Sequence, residues 1–447
     1  MEMKAAFEEL LGDFYEEGVP GDVKPRRVEA IEKAHSATVL TGMRRTGKTY
    51  VMYGRMKELM SRGVAKERIV HVNFADERLK RARAEDLRHV GEAHAKMFPG
   101  AAREKCWYFL DEVQNVEGWE AYARRLLDSR RVQLWLTGSS SKLLSKEIAT
   151  EMRGRGLETE VFPLSFAEAL EFNGWGEARA GGPTGRVRAG ELRHAMGRYL
   201  EEGGFPDVQG EPARTRVRVL QEYVDAVVYR DVLERHEASS VQALRHTLDY
   251  VMRNYGRKAS TRAISRSLKE SGVPCNRERI GEYLQWLADA CLVYPAGVRT
   301  DSAAVRQANP EKYYLVDTGL IRAMTPKNDA ERGWLLENLV FMELRRGFNR
   351  IEYYNTRGGG EVDFFVTDRA TKERRLVQAA WTLGGAGGET RRRETGALRA
   401  AMEETGIAEG TVVTWDDEEA EEDGVRIVPV WKWALEEAER GRGQSQS

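Results

Sequence analysis

The sequence predicts an α/β fold whose N-terminal third is a mostly parallel sheet covered by helices. Three observations carry that expectation. Short apolar, β-type runs recur at 36–41 (SATVLT), 68–74 (RIVHVNF), 107–110 (WYFL) and 132–137 (VQLWLT). The first and last stop at Gly42 and Gly138, and the third stops at Asp111-Glu112. Helix-like segments, Lys48–Arg62 and Gly118–Asp128, fall between them. Strands alternating with helices build parallel sheets covered on both faces.

Composition bounds the rest. A chain of 447 residues suits roughly three domains. Lysine plus arginine is 70 and aspartate plus glutamate is 71, for a net charge of −1, which excludes a basic whole-chain nucleic-acid binder but not a local basic module. At 41% hydrophobic and 32% charged, the chain has material for real cores. The longest apolar runs, such as Leu134–Leu136 and Leu339–Met342, fall far short of the ~18 residues of a membrane span. Acidic residues interrupt any signal-peptide core at the start. Three cysteines without metal-like spacing fit a reducing, cytoplasmic setting, not a disulfide scaffold or zinc site.

In chain order, residues 1 to about 35 read as a polar helical lead-in. The alternating strands and helices follow and end near Phe166. Residues 167–235 are helix-rich around a glycine-rich interruption, Gly174–Gly190. Residues 240–300 carry three short amphipathic patterns, and 311–317 (EKYYLVD) reads as a strand. From about 326 to 433 the pattern is helix, strand pair, strand, helix, strand. Asp416–Asp423 reads as an acidic loop and 440–447 as a frayed tail.

Gly42-Met43-Arg44-Arg45-Thr46-Gly47-Lys48-Thr49 matches G-x-x-x-x-G-K-[ST] between a strand and a helix. Such a loop wraps its N–H groups around a polyphosphate at a helix N-terminus. Lys48 would bridge the β- and γ-phosphates, and Thr49 would hold Mg²⁺. Asp111, at a strand's carboxyl end, would support Mg²⁺, and Glu112 suits a general base for a lytic water. One hydroxyl of the polar strand end Thr137–Ser141, which includes Ser139, could orient that water or sense the γ-phosphate; an ordinary strand-to-helix turn is the alternative. Arg155, in Arg153-Gly154-Arg155, could stabilise charge on the transferred phosphoryl group, or be a plain surface residue.

The segments GMRRTGKT, FLDEVQ, LTGSSS and RGRGLETEVFPLSFAE, in that order, resemble AAA-type ATPases found widely in archaea and some bacteria. Those proteins carry a C-terminal domain of unknown function. YLEEGGFPDV (199–208), YVDAVVYRDV (223–232), KYYLVDTGL (312–320), LLENLVFMEL (335–344) and GGEVDFFV (359–366) also look like that family. The resemblance implies an ATP site on Gly42, Gly47, Lys48, Thr49, Asp111, Glu112 and Ser139. The family's Gly-Arg falls on Gly154-Arg155, and Gln114 also fits its pattern.

The resulting layout is a P-loop ATPase with parallel sheet (1–166), a helical lid (167–239), a winged helix (240–325) and a small restriction-endonuclease-like α/β domain (326–447). Residues 241–300 hold ten lysines and arginines against five acids. Arg277 and Arg279 stand near the start of what reads as the second helix of a helix-turn-helix pair, where a groove-reading helix meets DNA. The competing reading is a helical domain that packs on the ATPase. The winged-helix fold is also what the resemblance implies.

Glu337, Asp363 and the strand Arg375–Ala379 resemble the PD-(D/E)xK arrangement, in which an Asp and a Glu hold a metal and a Lys stabilises the scissile phosphate. Here Gln378 replaces the second strand carboxylate, and Ala380 leaves the lysine position empty. The expectation is a nuclease fold without nuclease activity. The cofactors expected are ATP and Mg²⁺. The partners are double-stranded DNA through the winged helix and a second copy of the chain, as in ring-forming AAA-type proteins, with no membrane. An ATP-gated DNA nuclease and a nucleotide-switched interaction module with little turnover are the alternatives.

Overall fold

The computed structural model of the chain describes residues 2–138, 152, 154–175, 186–236, 240–326, 331–368, 371–384 and 388–444. They form two compact units, residues 1–162 with 289–291 and residues 163–288 with 292–447. No helix among the described residues is long and apolar enough to cross a membrane.

The first unit is built on five parallel strands in the order β2-β3-β4-β1-β5. These are β1 (Ala37–Thr41), β2 (Ile69–Asn73), β3 (Cys106–Asp111), β4 (Val132–Thr137) and β5 (Gly156–Glu160). Side chains alternate between two cores, as the two-residue period of a strand requires. Tyr108 and Leu110 of β3 and Leu134 and Leu136 of β4 face one core with Phe7, Leu11, Val90 and Trp119. Trp107, Phe109 and Trp135 face the other with Val51, Met52, Met56 and Leu59. The helices α1 (Glu2–Glu17), α2 (Lys48–Ser61), α3 (Arg88–Met97) and α4 (Trp119–Asp128) supply the covering layers.

Two expectations fail here. The lead-in helix stops at Glu17, and residues 22–33 have no regular structure, because Gly18, Pro20, Gly21 and Pro25 break it. β5 was not among the expected strands. It lies at the sheet edge, its side chains are only partly buried, and its sequence GLETE carries no apolar run.

The second unit holds α5 (Phe166–Phe172), α6 (Arg186–Glu202), α7 (Ala213–Ala226) and a π-helical turn at Val227–Leu233. Next come α8 (Val241–Arg253), β6 (Lys258–Ala259), α9 (Thr261–Glu270), α10 (Arg277–Asp289), β7 (Val293–Ala296), α11 (Ala303–Ala308) and β8 (Glu311–Leu315). β6, β8 and β7 pair antiparallel in that order. α12 (Thr318–Met324) and α13 (Arg332–Gly347) lead to β9 (Ile351–Asn355), β10 (Glu361–Thr367), β11 (Arg374–Ala380), α14 (Glu389–Thr405), β12 (Gly410–Thr414), β13 (Ala420–Glu422), β14 (Val425–Pro429) and α15 (Val430–Gln444). The six strands are ordered β13-β14-β12-β11-β10-β9.

The acidic stretch is not all loop. Ala420–Glu422 pairs with β14 through a turn at Asp423-Gly424, both at positive φ (50° and 77°). Asp-Gly is a favoured two-residue hairpin turn. The expected frayed tail is helical as far as Gln444.

Four motifs distant in sequence meet inside this unit. Ser165 and Glu168 form a capping box at the start of α5, and the Phe166 N–H donates to Glu343 of α13 at 3.1 Å. The Tyr199 hydroxyl of α6 donates to the Leu164 carbonyl at 2.7 Å. Asp317 accepts from the N–H groups of Gly204 (2.7 Å) and Leu320 (3.0 Å). Gly203 sits against that carboxylate at φ +75°, and a Cβ there would lie 2.0 Å from Asp317 Oδ1.

Candidate functional site

The strand β1 is wholly buried and delivers the chain to Gly42 at its carboxyl end. Gly42 takes φ +128°, and a Cβ would come within 2.3 Å of the Val161 carbonyl, so only glycine fits. Arg45 is exposed at φ 68°, Arg44 is half-buried, and Gly47 caps α2 in the left-handed conformation. The Thr46 hydroxyl is buried and donates to the Met43 carbonyl at 3.0 Å, so it braces the loop. Arg26, from the N-terminal segment, donates to the carbonyls of Thr46 (2.6 Å) and Phe162 (2.8 Å).

Lys48 is buried at the start of α2, and its ammonium donates to the carbonyls of Gly42 and Met43, each at 3.0 Å. These acceptors are uncharged, and phosphate oxygens make the stronger charge-assisted bonds. The Thr49 hydroxyl donates to Asp111 Oδ2 at 2.7 Å. A hydroxyl and a carboxylate oxygen side by side form a hard donor pair suited to Mg²⁺ with water and phosphate oxygens. The residues present therefore fit ATP and Mg²⁺.

Asp111 is fully buried at the end of β3. Burial pushes its carboxyl above the ordinary value, and hydrogen bonds from Thr137 and Thr49 pull it back. The Thr137 hydroxyl, at the end of β4, donates to Asp111 Oδ1 and accepts the Glu112 N–H at 2.8 Å. Glu112 stands at φ 51°, a strained setting for a residue with a side chain. The Gln114 amide donates to its carboxylate. The phosphate loop, the acidic pair and Thr137 thus converge at the carboxyl ends of β1, β3 and β4.

Residues 34–170 match the AAA domain family, and residues 193–331 match a domain of unknown function, DUF8612. The uncharacterized protein MJ1544 of Methanocaldococcus jannaschii is 31% identical over 448 residues, covering 97% of this chain and 96% of that protein. The chain belongs to the MJ1544 family. Its N-terminal unit carries an AAA-type P-loop ATPase domain. An uncharacterized protein of Haemophilus influenzae is 29% identical over 346 residues, 77% of this chain and 82% of that protein. Among solved structures, the Walker-type ATPase PABY2304 of Pyrococcus abyssi is 15% identical, with a TM-score of 0.42, over 72% of this chain and 94% of that one.

Other expected residues of this MJ1544-family chain fare differently. Ser139 lies outside the described residues. Arg155 does not join the nucleotide site of its own chain. It precedes β5, whose Gly156 pairs with Ala37, so it stands at the opposite end of the sheet from Gly42. There it bonds Asp128 at 2.7 Å. Thr137 stood in the polar strand end and Gln114 in the family pattern without a settled role, and Arg26 was missed. Thr137 was legible as the polar end of an apolar strand, whereas Arg26 reaches the loop only through the fold.

In the second unit Arg277 is exposed at the start of α10, whereas Arg279 is half-buried and bonds Glu282 at 2.6 Å. The structure does bring Glu337, Asp363 and Gln378 together. Gln378 accepts the Asp363 N–H at 3.0 Å and donates to Glu394 at 2.7 Å. The expectation of a missing cation needs correcting. Ala380 contributes none, but Lys312 of β8 donates to Glu337 Oε1 (2.9 Å) and Asp363 Oδ1 (3.0 Å). Strand β8 is far from β11 in sequence, so no local motif announces it.

Proposed function

We propose that this chain binds ATP·Mg²⁺, hydrolyses it slowly, and uses its nucleotide state to reposition a DNA-contacting module. The observation that carries the reading is the hydrogen-bonded set Thr49–Asp111–Thr137–Glu112 beside Lys48. Lys48 and the loop N–H groups hold the phosphates, and Thr49 and Asp111 hold the ion. An ion held there would neutralise charge on the phosphate oxygens. Glu112, placed by Thr137 through its own N–H, takes the proton of the attacking water.

Residues 240–325 fit a winged helix, with helices α8, α9 and α10 and the antiparallel strands β6, β8 and β7. Arg262, Arg266 and Lys269 are exposed along one side of α9, and Arg277 is exposed at the start of α10. That basic face supports contact with duplex DNA. The sheet of residues 351–429 fits a nuclease-like domain. Lys312, lodged among its carboxylates, argues against the ATP-gated nuclease alternative. Arg155 stands at the far end of its own sheet, so it would reach a transferred phosphoryl group only on another copy of the chain.

Phosphate release measured on the purified chain tests the site assignment. Lys48→Ala should lose both turnover and the nucleotide-dependent rise in Tm. A variant that keeps both would refute it.

A further inference from the structure

The carboxylate cluster of the second unit has a chemistry that the ATPase reading does not use. Three acidic oxygens converge on one ammonium: Glu337 Oε1 at 2.9 Å, Asp363 Oδ1 at 3.0 Å and Glu361 Oε1 at 3.0 Å from Lys312 Nζ. The Lys312 side chain is only 5% exposed. An ammonium has three protons and no acceptor, so the three carboxylates saturate it. The carboxylates have further partners. Tyr314 donates to Glu337 Oε1 at 2.7 Å, the Ala379 N–H donates to Asp363 Oδ2 at 3.1 Å, and Lys258 pairs with Glu361.

We propose that Lys312 is the resident cation of this cluster. Its ammonium stands where a divalent ion would sit among Glu337, Asp363 and Glu361, so the native chain takes up no divalent metal there. Several carboxylates gathered in the interior demand a cation, since uncompensated buried charge is costly. A metal would meet that demand with oxygen contacts near 2.0–2.1 Å for Mg²⁺, whereas the observed separations are those of N–H···O bonds. The lysine comes from β8 of the three-stranded sheet, and the carboxylates come from α13 and β10. The cluster therefore also pins that sheet to the nuclease-like domain. The proposal needs only this cluster and stands whether or not the ATPase reading holds.

Mn²⁺ is the probe, added to the full-length chain without nucleotide, with bound ion read by electron paramagnetic resonance and stability by thermal melting. Wild type should bind no Mn²⁺ that depends on Asp363, and its Tm should not move. Lys312→Ala and the longer, neutral Lys312→Gln should each bind a single Mn²⁺ and melt at a higher temperature with it. Adding Asp363→Asn to either should remove both effects. Variants that fold only with Mn²⁺ present would support the proposal equally. Three results would overturn it: Mn²⁺ bound by wild type and lost in Asp363→Asn, folded Lys312 variants that take up no Mn²⁺, or variants that fold neither with nor without the ion.

Discussion

A single hydroxyl, that of Thr137, ties the two acidic residues of the nucleotide site together. It faces Asp111 on one side and the Glu112 backbone on the other, so β4 sets where the proposed base stands. A different kind of burial acts at His71 on β2. Its ring lies 5.4 Å from those of both Phe14 and Tyr53, and among the described residues its Nε2 has no hydrogen-bond partner. Burial lowers its pKa from 6.5 to about 4. Below the higher value the unfolded chain takes up a proton that the folded chain refuses. The stability from neutral His71 is thus whole above pH 6.5 and falls as the pH drops toward 4. At about 1.4 kcal/mol per unit, the loss is roughly 3 kcal/mol. Chemical denaturation of wild type and His71→Phe across that range should show the variant's pH slope shallower by one proton. Equal slopes would mean that His71 is solvated.

At the scale of elements, helix α13 does more than fill a core. Glu337 bonds Lys312, Asn338 makes two hydrogen bonds with the Leu315 backbone (2.8 and 2.9 Å), and Glu343 caps α5. That accounts for three polar residues in an otherwise apolar motif. The GGFPD and VDTGL motifs are explained by contact with each other. Gly203→Ala would drive a methyl into Asp317 at an unfavourable φ, and should cost more than about 2 kcal/mol, against ~1 for an ordinary substitution. Urea unfolding checks this, and an unchanged midpoint would show that the joint has slack. The basic side of α9 is a second element-level test. Reversing Arg262, Arg266 and Arg277 to glutamate should weaken duplex DNA binding, and wild-type binding should fall steeply with added salt. If wild type retains no duplex DNA at low salt, residues 240–325 serve packing or protein contact instead. Arg279, bonded to Glu282, should matter less.

For the whole molecule, what was legible in the sequence is what local chemistry dictates. Gly42 through Thr49, Asp111 and Glu112 could be placed because a phosphate loop and an acidic strand end are short motifs whose constraints lie within a few residues. Strands β1 to β4 announced themselves by apolar runs. β5 did not, because an edge strand with partly buried side chains needs no such run. The helix-and-sheet order from 326 could be read as far as β12, but β13, β14 and α15 could not, nor could the cation of the carboxylate cluster. Lys312 reaches Glu337 and Asp363 across 25 and 51 residues of chain, and no periodicity encodes such a meeting. The place of Arg155 was hidden for a related reason: parallel pairing with β1 puts it at the opposite end of the sheet from the phosphate loop of its own chain.

The central claim is that Glu112 is the base of a hydrolytic site otherwise able to hold ATP·Mg²⁺. The most direct measurement is steady-state phosphate release alongside equilibrium ATP binding for wild type and Glu112→Gln. The substitution keeps the shape of the side chain and leaves Lys48, Thr49 and Asp111 in place. Binding should stay within a few-fold of wild type while turnover falls by about 10²–10⁴, the range typical of a general acid–base group. Loss of binding in the variant, or turnover equal to wild type, would contradict the account.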